Sequence, residues 1–454
     1  MFLYFIDVFG ELTYNNIPLP LLANFYHYLD KNLKEEMMKP DLKKYLNSKS
    51  LSDNEIQPKF ERLLASLKKP LKAKPLQGKV LLNFDYLRFT QNNYIQFDPR
   101  KTVIFARFKS DNHFGVPVHC INNYKVEVKE SVNELVERAK AIFALANKHP
   151  LFISQYFNNT FISIIPQMVE KIAAIDRYFK ENPVSCVIVG TAEDLISRIL
   201  IIVAAGKGIP SICMQHGVLG GEEAFMPVFS TKVAVYGQYE KSWYLKKGLS
   251  EDRIAITGHP RFDDIFTQSH MSKIEFQKKY ELNSQKKTVL FATQPYNVLL
   301  WNELIEILAQ KPQIEIIIKP HPWELSRKEL IDNYKNFAQS YKSVKLILEK
   351  RVNLYDILLN VDVVVINSST VGLESILSNK PLCILSDTPF AFYEKMEDFI
   401  YSNPAELAQF IPKLAEDAQL QQIAKNKREG FLAYAYPQKL SMTCLMKEIV
   451  KLIG

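Results

Sequence analysis

The sequence predicts an α/β protein of two Rossmann-like domains facing a cleft, with a helical lead-in at the N-terminus. Three observations carry this expectation. Short, continuous apolar runs of the buried-parallel-strand type alternate with amphipathic helices over most of the chain. The alternation falls into two series around a polar stretch, Ser269 to Lys287. The 454 residues, 47% of them apolar, are enough for more than one self-sufficient core. The expected organisation is a helical lead-in over residues 1–75, a first domain over 76–268, a second over 269–436, and a C-terminal helix over 437–454 that crosses back.

Taken in order, Met1 to Gly10 is apolar but short, lacks a basic n-region and runs into Asp7 and Glu11. It reads as a first core strand or helix turn, not a signal peptide. Residues 28–74 carry Leu33, Met37, Leu42 and Tyr45 at helical spacing and end in Lys68-Lys69-Pro70. Strands are expected from Val80 to Phe84 and Val103 to Phe108, and helices over 130–147 and 161–180. A buried strand follows from Val184 to Val189, and Thr191 is placed to cap a helix from Ala192 to Ala205 whose first turn holds Glu193 and Asp194. Strands from Ser211 to Met214, Lys232 to Tyr236 and Ile254 to Thr257 complete the first series, with a helix from Glu240 to Lys247. The second series runs Thr288 to Ala292, helix Val298 to Ala309, then strands Ile314 to Lys319, Val344 to Leu348 and Val361 to Ile366. Helix Gly372 to Ser378 and strand Leu382 to Leu385 close it.

Composition narrows the function classes. Lys plus Arg is 57 and Asp plus Glu is 49, a net charge of +8. That mild excess suits anionic substrates, phosphates or a lipid surface. No dense basic run with interleaved aromatics occurs, so nucleic acid is not expected as a partner. The five cysteines are scattered, with no C-x-x-C pair and no histidine at metal-ligand spacing, which fits a reducing cytoplasm and no metal site. No window is long and apolar enough to span a bilayer, so any membrane contact would be peripheral.

In doubly wound sheets ligands bind off the carboxyl ends of strands, and four strand ends here carry unusual chemistry. Gln215-His216-Gly217 places an imidazole beside a glycine, and a histidine near its ordinary pKa is a fitting base for a hydroxyl. Glu222 and Asp194 are rival acids. Gly258-His259-Pro260-Arg261 reads as an interdomain hinge with His259 and Arg261 facing the cleft, alongside Gln215 and Gly217. Lys319-Pro320-His321-Pro322 sets a cation and an imidazole in a stiff turn suited to a phosphate leaving group. Asn367-Ser368-Ser369-Thr370 opens a helix, where hydroxyls and free N–H groups bind phosphate, and Glu374 one turn on is placed to accept from ribose hydroxyls. G-x-G-x-x-G and Walker signatures are missing, and no D-x-D pair follows a strand.

This ordered set resembles bacterial GT-B transferases of surface-polysaccharide assembly. One related group is the capsule polysaccharide synthases, with Kdo- and sialyl-type transferases that use CMP-activated acidic sugars. The other is the CDP-glycerol glycerophosphotransferases. The resemblance covers roughly residues 184–390. It implies a GT-B fold and a metal-independent glycosyltransferase of capsule or lipopolysaccharide synthesis. No cofactor is implied beyond a nucleotide-activated donor, expected to be a cytidine nucleotide. The acceptor is expected to be a glycan or lipid-linked glycan at the inner face of the membrane. Lys319, His321 and Pro322 with Ser368, Ser369 and Thr370 would hold donor phosphate, and His216 would be the base. Met214-Gln215 stands where many glycerophosphotransferases carry tryptophan before the HG motif, which weighs against polyol-phosphate transfer. The alternatives are that transfer from CDP-glycerol, a non-hydrolysing nucleotide-sugar 2-epimerase, and a nucleotide-sugar-binding partner subunit without turnover.

Overall fold

The computed structural model describes residues 1–37, 39, 51–146, 149–349, 352–437 and 439–454; Leu42 and Tyr45 of the expected lead-in lie outside them. Seven parallel strands form the first sheet: β1 Lys79–Asn83, β2 Thr102–Ala106, β3 Val116–Cys120, β4 Val184–Val189, β5 Ser211–Met214, β6 Lys232–Val235 and β7 Ile254–Ile256. Their spatial order is β7-β6-β5-β4-β1-β2-β3, and Asn112–His113 pairs antiparallel on the β3 edge. The order reverses between β1 and β4, so the crevice off those two carboxyl ends is where this topology opens a ligand site. All six residues of β4 are buried, as its unbroken apolar run requires of a strand covered on both faces.

The second sheet is wholly parallel: β8 Lys287–Ala292, β9 Ile314–Lys319, β10 Val344–Leu346, β11 Val363–Ile366, β12 Leu382–Leu385 and β13 Ile400–Tyr401, in the order β10-β9-β8-β11-β12-β13. Its switch point lies between β8 and β11. The sequence reading joined β9 to β10 without a helix. Parallel neighbours need a crossover, and helix Lys328–Ser340 supplies it. Helices Pro404–Glu416 and Ala418–Ala435 were likewise unforeseen.

The helix after β4 begins later than expected, at Leu195, and its cap is Asp194 rather than Thr191. The Asp194 carboxylate accepts from the Ser197 N–H at 3.0 Å, while Thr191 Oγ1 takes the Glu193 N–H and holds residues 191–193 as a turn. The lead-in is not an independent helical unit. Helix Phe2–Phe9 buries Phe5, Ile6 and Phe9 in one core with Phe143, Phe161 and the β4 residues Val187 and Val189. Phe5 meets Phe161 edge-to-face at 4.9 Å. A buried arginine ties the next stretch down: Arg198 donates to the Ala23 and Leu21 carbonyls and to the Ala192 carbonyl in the β4 loop.

Helix Ser441–Ile453 lies on the first sheet, where Met442, Leu445 and Ile449 pack with Leu82, Ile188 and Ile212. Asp263 caps it, accepting the Ser441 and Met442 N–H groups at 2.8 Å each. Among the described residues no helix is long and apolar enough to cross a membrane.

Candidate active site

The loop after β11 is held from three sides. Gln294, just past β8, reaches across the switch point: its Oε1 accepts the Ser368 N–H and its Nε2 donates to the Ser368 carbonyl, both at 2.9 Å. Buried Asn367 donates to the Leu385 carbonyl at 2.7 Å. Tyr393 Oη donates to the Ser369 carbonyl and accepts the Leu373 N–H. Ser369 Oγ accepts the Val371 N–H at 3.2 Å. The expectation of free N–H groups at the start of helix Val371–Leu377 therefore needs correction, because the Val371, Gly372 and Leu373 donors are committed within the protein. Among the described residues, the hydroxyls of Ser368 and Thr370 have no hydrogen-bond partner. A Cβ built on Gly217 of the first domain would stand 3.6 Å from Thr370 Oγ1, so these two loops face each other across the cleft.

At the end of β9, Lys319 is half-buried with no carboxylate within ion-pair distance among the described residues; burial pushes its pKa down against the pull of Glu349. His321 follows in a turn organised by buried Glu324, which accepts the His321 N–H at 2.7 Å, Thr293 Oγ1 at 2.9 Å and Tyr334 Oη at 2.8 Å. Nδ1 of His321 accepts the Trp323 N–H at 3.2 Å, so the neutral ring carries its proton on Nε2 and presents a donor. Burial lowers its pKa, and Arg88 and Lys319 add to that. Pro322 is exposed and stiffens the turn.

From the first domain, His216 stacks on Phe225 with ring centroids 5.0 Å apart, and its carbonyl accepts from Arg88 Nη1 at 2.8 Å. Its pKa is driven down to about 4 by burial first, then by Arg88 and Arg261, with Glu193 opposing. A histidine near its ordinary pKa was expected; the free cleft holds a neutral, weakly basic ring among cations. Arg261 lies over the Phe262 ring at 4.5 Å. Burial works against its charge, but Glu374 and neighbouring tyrosines hold its pKa above the ordinary value. Glu374 is correspondingly buried; burial pushes its carboxyl up against Arg261 and Arg88. Tyr355 Oη bonds both Glu374, at 3.4 Å, and the Arg261 carbonyl, at 3.2 Å. Tyr355 thus links Glu374 to the first domain, and buried Glu374 does not stand open to a ribose.

Four candidates are placed elsewhere. His259 is fully buried and faces no cleft: its Nδ1 accepts the Arg261 N–H at 3.2 Å and its ring lies edge-on to Phe89 and Phe262. Gln215 is a buried staple between loops, donating to the Gly217 carbonyl and to Glu240 Oε1 and accepting the Tyr236 N–H. Asp194 is spent on its cap and on Arg107, which also pairs with Asp85 at 2.8 Å. Glu222 pairs at 2.6 Å with Lys247, which also holds Asp53. The sequence reading missed Arg88, Gln294 and Tyr355. Arg88 had a faint signal in its place five residues after β1, at the switch point. Tyr86 and Arg88 both have positive φ, +61° and +55°, and a Cβ on Gly190 would lie 2.1 Å from the Tyr86 carbonyl carbon, so the β1 and β4 loops touch backbone to backbone. The cleft therefore gathers Arg88, His216 and Arg261 from one side, and Lys319, His321 and two hydroxyls from the other.

Residues 265–396 match the family model described as capsule polysaccharide biosynthesis protein. None of the curated proteins matches the chain. Among solved structures, the chain is similar to the UDP-GlcNAc 2-epimerase of Neisseria meningitidis bound to UDP-GlcNAc, with a TM-score of 0.53 and 12% identity over 82% of this chain and 100% of that one. The HepE protein of Anabaena in complex with UDP-glucose gives a TM-score of 0.53 and 13% identity, covering 83% and 99%. A glycosyltransferase of Rickettsia africae gives 0.53 and 11%, covering 83% and 99%. At these identities the likeness speaks to the fold, two Rossmann-like domains in the GT-B arrangement. The family match, which spans the β11 loop and the Lys319 turn, supports the resemblance to surface-polysaccharide transferases.

Proposed function

We propose that this protein is a GT-B glycosyltransferase that moves a sugar from a nucleotide-activated donor onto a growing surface polysaccharide or glycolipid. The observation that carries this is the convergence of Arg88, His216 and Arg261 with Lys319 and His321 around the Ser368 and Thr370 hydroxyls. The acceptor hydroxyl gives up its proton to a base of the first domain as its oxygen attacks the anomeric carbon, the carbon–phosphate oxygen bond breaks, and the electron pair of that bond leaves with the phosphate. Lys319 and His321 Nε2–H donate to the oxygens where that charge builds, so the protein's own cations do the work a divalent ion does in other transferases. Donor phosphate near His216 offsets Arg88 and Arg261, so its pKa rises from about 4 when the donor binds.

The resemblance to capsule synthases favours a CMP-activated acidic sugar, and the uridine nucleotides bound by similar folds make UDP the rival base. The excess of positive charge favours work at the inner face of the membrane on a lipid-linked acceptor. The test is chromatography of the products formed from UDP-glucose, UDP-GlcNAc, a CMP-activated ulosonate and CDP-glycerol with a lipid extract as acceptor. Sugar transfer releases the nucleotide and glycosylates the acceptor. CDP-glycerol yielding CMP and a phosphodiester would replace the proposal with polyol-phosphate transfer, and an altered nucleotide sugar without release would replace it with epimerisation. No reaction with any donor, together with no nucleotide binding, would contradict it.

A further inference from the structure

Among the described residues, the carboxylates considered so far are engaged away from an acceptor: Glu374 accepts from Tyr355, Asp194 pairs with Arg107 and Glu222 with Lys247. Beside the cleft, at the switch point of the first sheet, lies a separate open groove of about 640 Å³. Tyr86, after β1, and Glu193, after β4, stand on its walls, and Asn24 and His27 of the lead-in close it from above. Glu193 Oε1 is 2.8 Å from His27 Nε2 and 3.5 Å from Asn24 Nδ2, and its charge reaches His216. Arg198 fixes this arrangement by gripping the Ala23 carbonyl on one side and the Ala192 carbonyl on the other. Tyr86 is about half exposed on the groove wall, on a left-handed backbone that lies against Gly190.

We infer that this groove is the acceptor site, that its ligand is a neutral or cationic sugar unit stacked on Tyr86, and that Glu193 is the base for the acceptor hydroxyl. An exposed ring on one wall and hydrogen-bonding side chains on the others match a sugar's apolar face and hydroxyl edge. The Glu193 carboxylate accepts the hydroxyl proton as that oxygen bonds to the anomeric carbon, and the displaced electron pair leaves on the donor phosphate. His27 is a positioning residue that holds Glu193 by one oxygen. This assignment rests on the transferase proposal above.

The experiment is saturation-transfer NMR with a panel of methyl glycosides at millimolar concentration, on the full chain and on Tyr86→Ala, Glu193→Gln and His27→Gln. Nucleotide thermal shifts are recorded on the same samples. The wild type is expected to give glycoside signals that fall tenfold or more in Tyr86→Ala, while nucleotide shifts stay the same in all variants. With a donor that turns over, Glu193→Gln should lower acceptor-dependent nucleotide release by about 10²-fold or more. His27→Gln should lower kcat for transfer several-fold while leaving the KM for the nucleotide donor unchanged. Glycoside signals absent from the wild type or unchanged in Tyr86→Ala overturn the groove assignment, and unchanged transfer in Glu193→Gln overturns the base. Loss of nucleotide shifts in the wild type itself overturns the transferase proposal instead.

Discussion

The two switch points of this molecule are built in opposite ways. In the second domain the site is local: Ser368, Ser369, Thr370 and Glu374 lie within seven residues, Lys319 and His321 within three, and one glutamine, Gln294, locks the loop to its neighbouring strand. In the first domain it is assembled over long separations: Arg88 meets His216, Glu193 meets His27, and Arg198 reaches back to Ala23. On the proposed function, a short motif would suffice to hold a nucleotide's phosphates, whereas the proposed acceptor would be met by a surface that several segments share.

The contrast is broken most severely through its glycines. Gly190→Ala puts a Cβ 2.1 Å from the Tyr86 backbone, which cannot give way, whereas the same change at Gly372 meets only side chains, the Ile366 Cδ1 and the Tyr393 hydroxyl, and displacing the latter strains its bonds to Ser369 and Leu373. Chemical denaturation is expected to show a loss of about 3 kcal/mol or more for the first and about 2 kcal/mol for the second. Next comes Lys319→Ala, which on the proposed mechanism removes a donor to the leaving phosphate and should lower turnover by about 10²-fold with the melting temperature unchanged. Gln294→Ala strips both partners from Ser368 and should cost about 2 kcal/mol, measured by the same denaturation, while weakening nucleotide binding. Arg88→Ala is the mildest: removing one cation should raise the His216 pKa above about 4, as followed by NMR titration of the ring.

A pH test sharpens the first-domain side further. Burial raises buried Glu240, the partner of Gln215, to about 7 from an ordinary 4.5, so between those values the folded protein holds a proton that the unfolded chain has released. Stability contributed there is present below about 4.5 and is lost as pH rises through about 7. The melting temperature should fall across that window, and Glu240→Gln should flatten the fall.

How much was legible follows the same division. Helix Val298–Ala309 and strands Val184–Val189 and Ile314–Lys319 lie where the sequence placed them, because an unbroken apolar run or an amphipathic period is local information. The Lys319 turn and the β11 loop were found for that reason too. Whether His259 faces a cleft or a core is set by Phe89 and Phe262 from other segments, and a Gly-His-Pro string does not encode it. Thr191 and Asp194 are both good caps, and the choice between them rests on Ser197 and on Arg107, 87 residues away. Arg88 and Glu193 stayed hidden because their partners come from distant parts of the chain, the lead-in among them.

The most direct measurement is thermal stabilisation by CMP, CDP, UDP, GDP and ADP at millimolar concentration, on the wild type and on Lys319→Ala and Arg88→Ala. A ligand at 100 times its Kd adds about 2.7 kcal/mol, well within reach of the method. A cleft that closes on a nucleotide phosphate predicts a selective rise with CMP or UDP that shrinks in both variants, one from each domain. No rise with any nucleotide, or an equal rise in all three proteins, would contradict it.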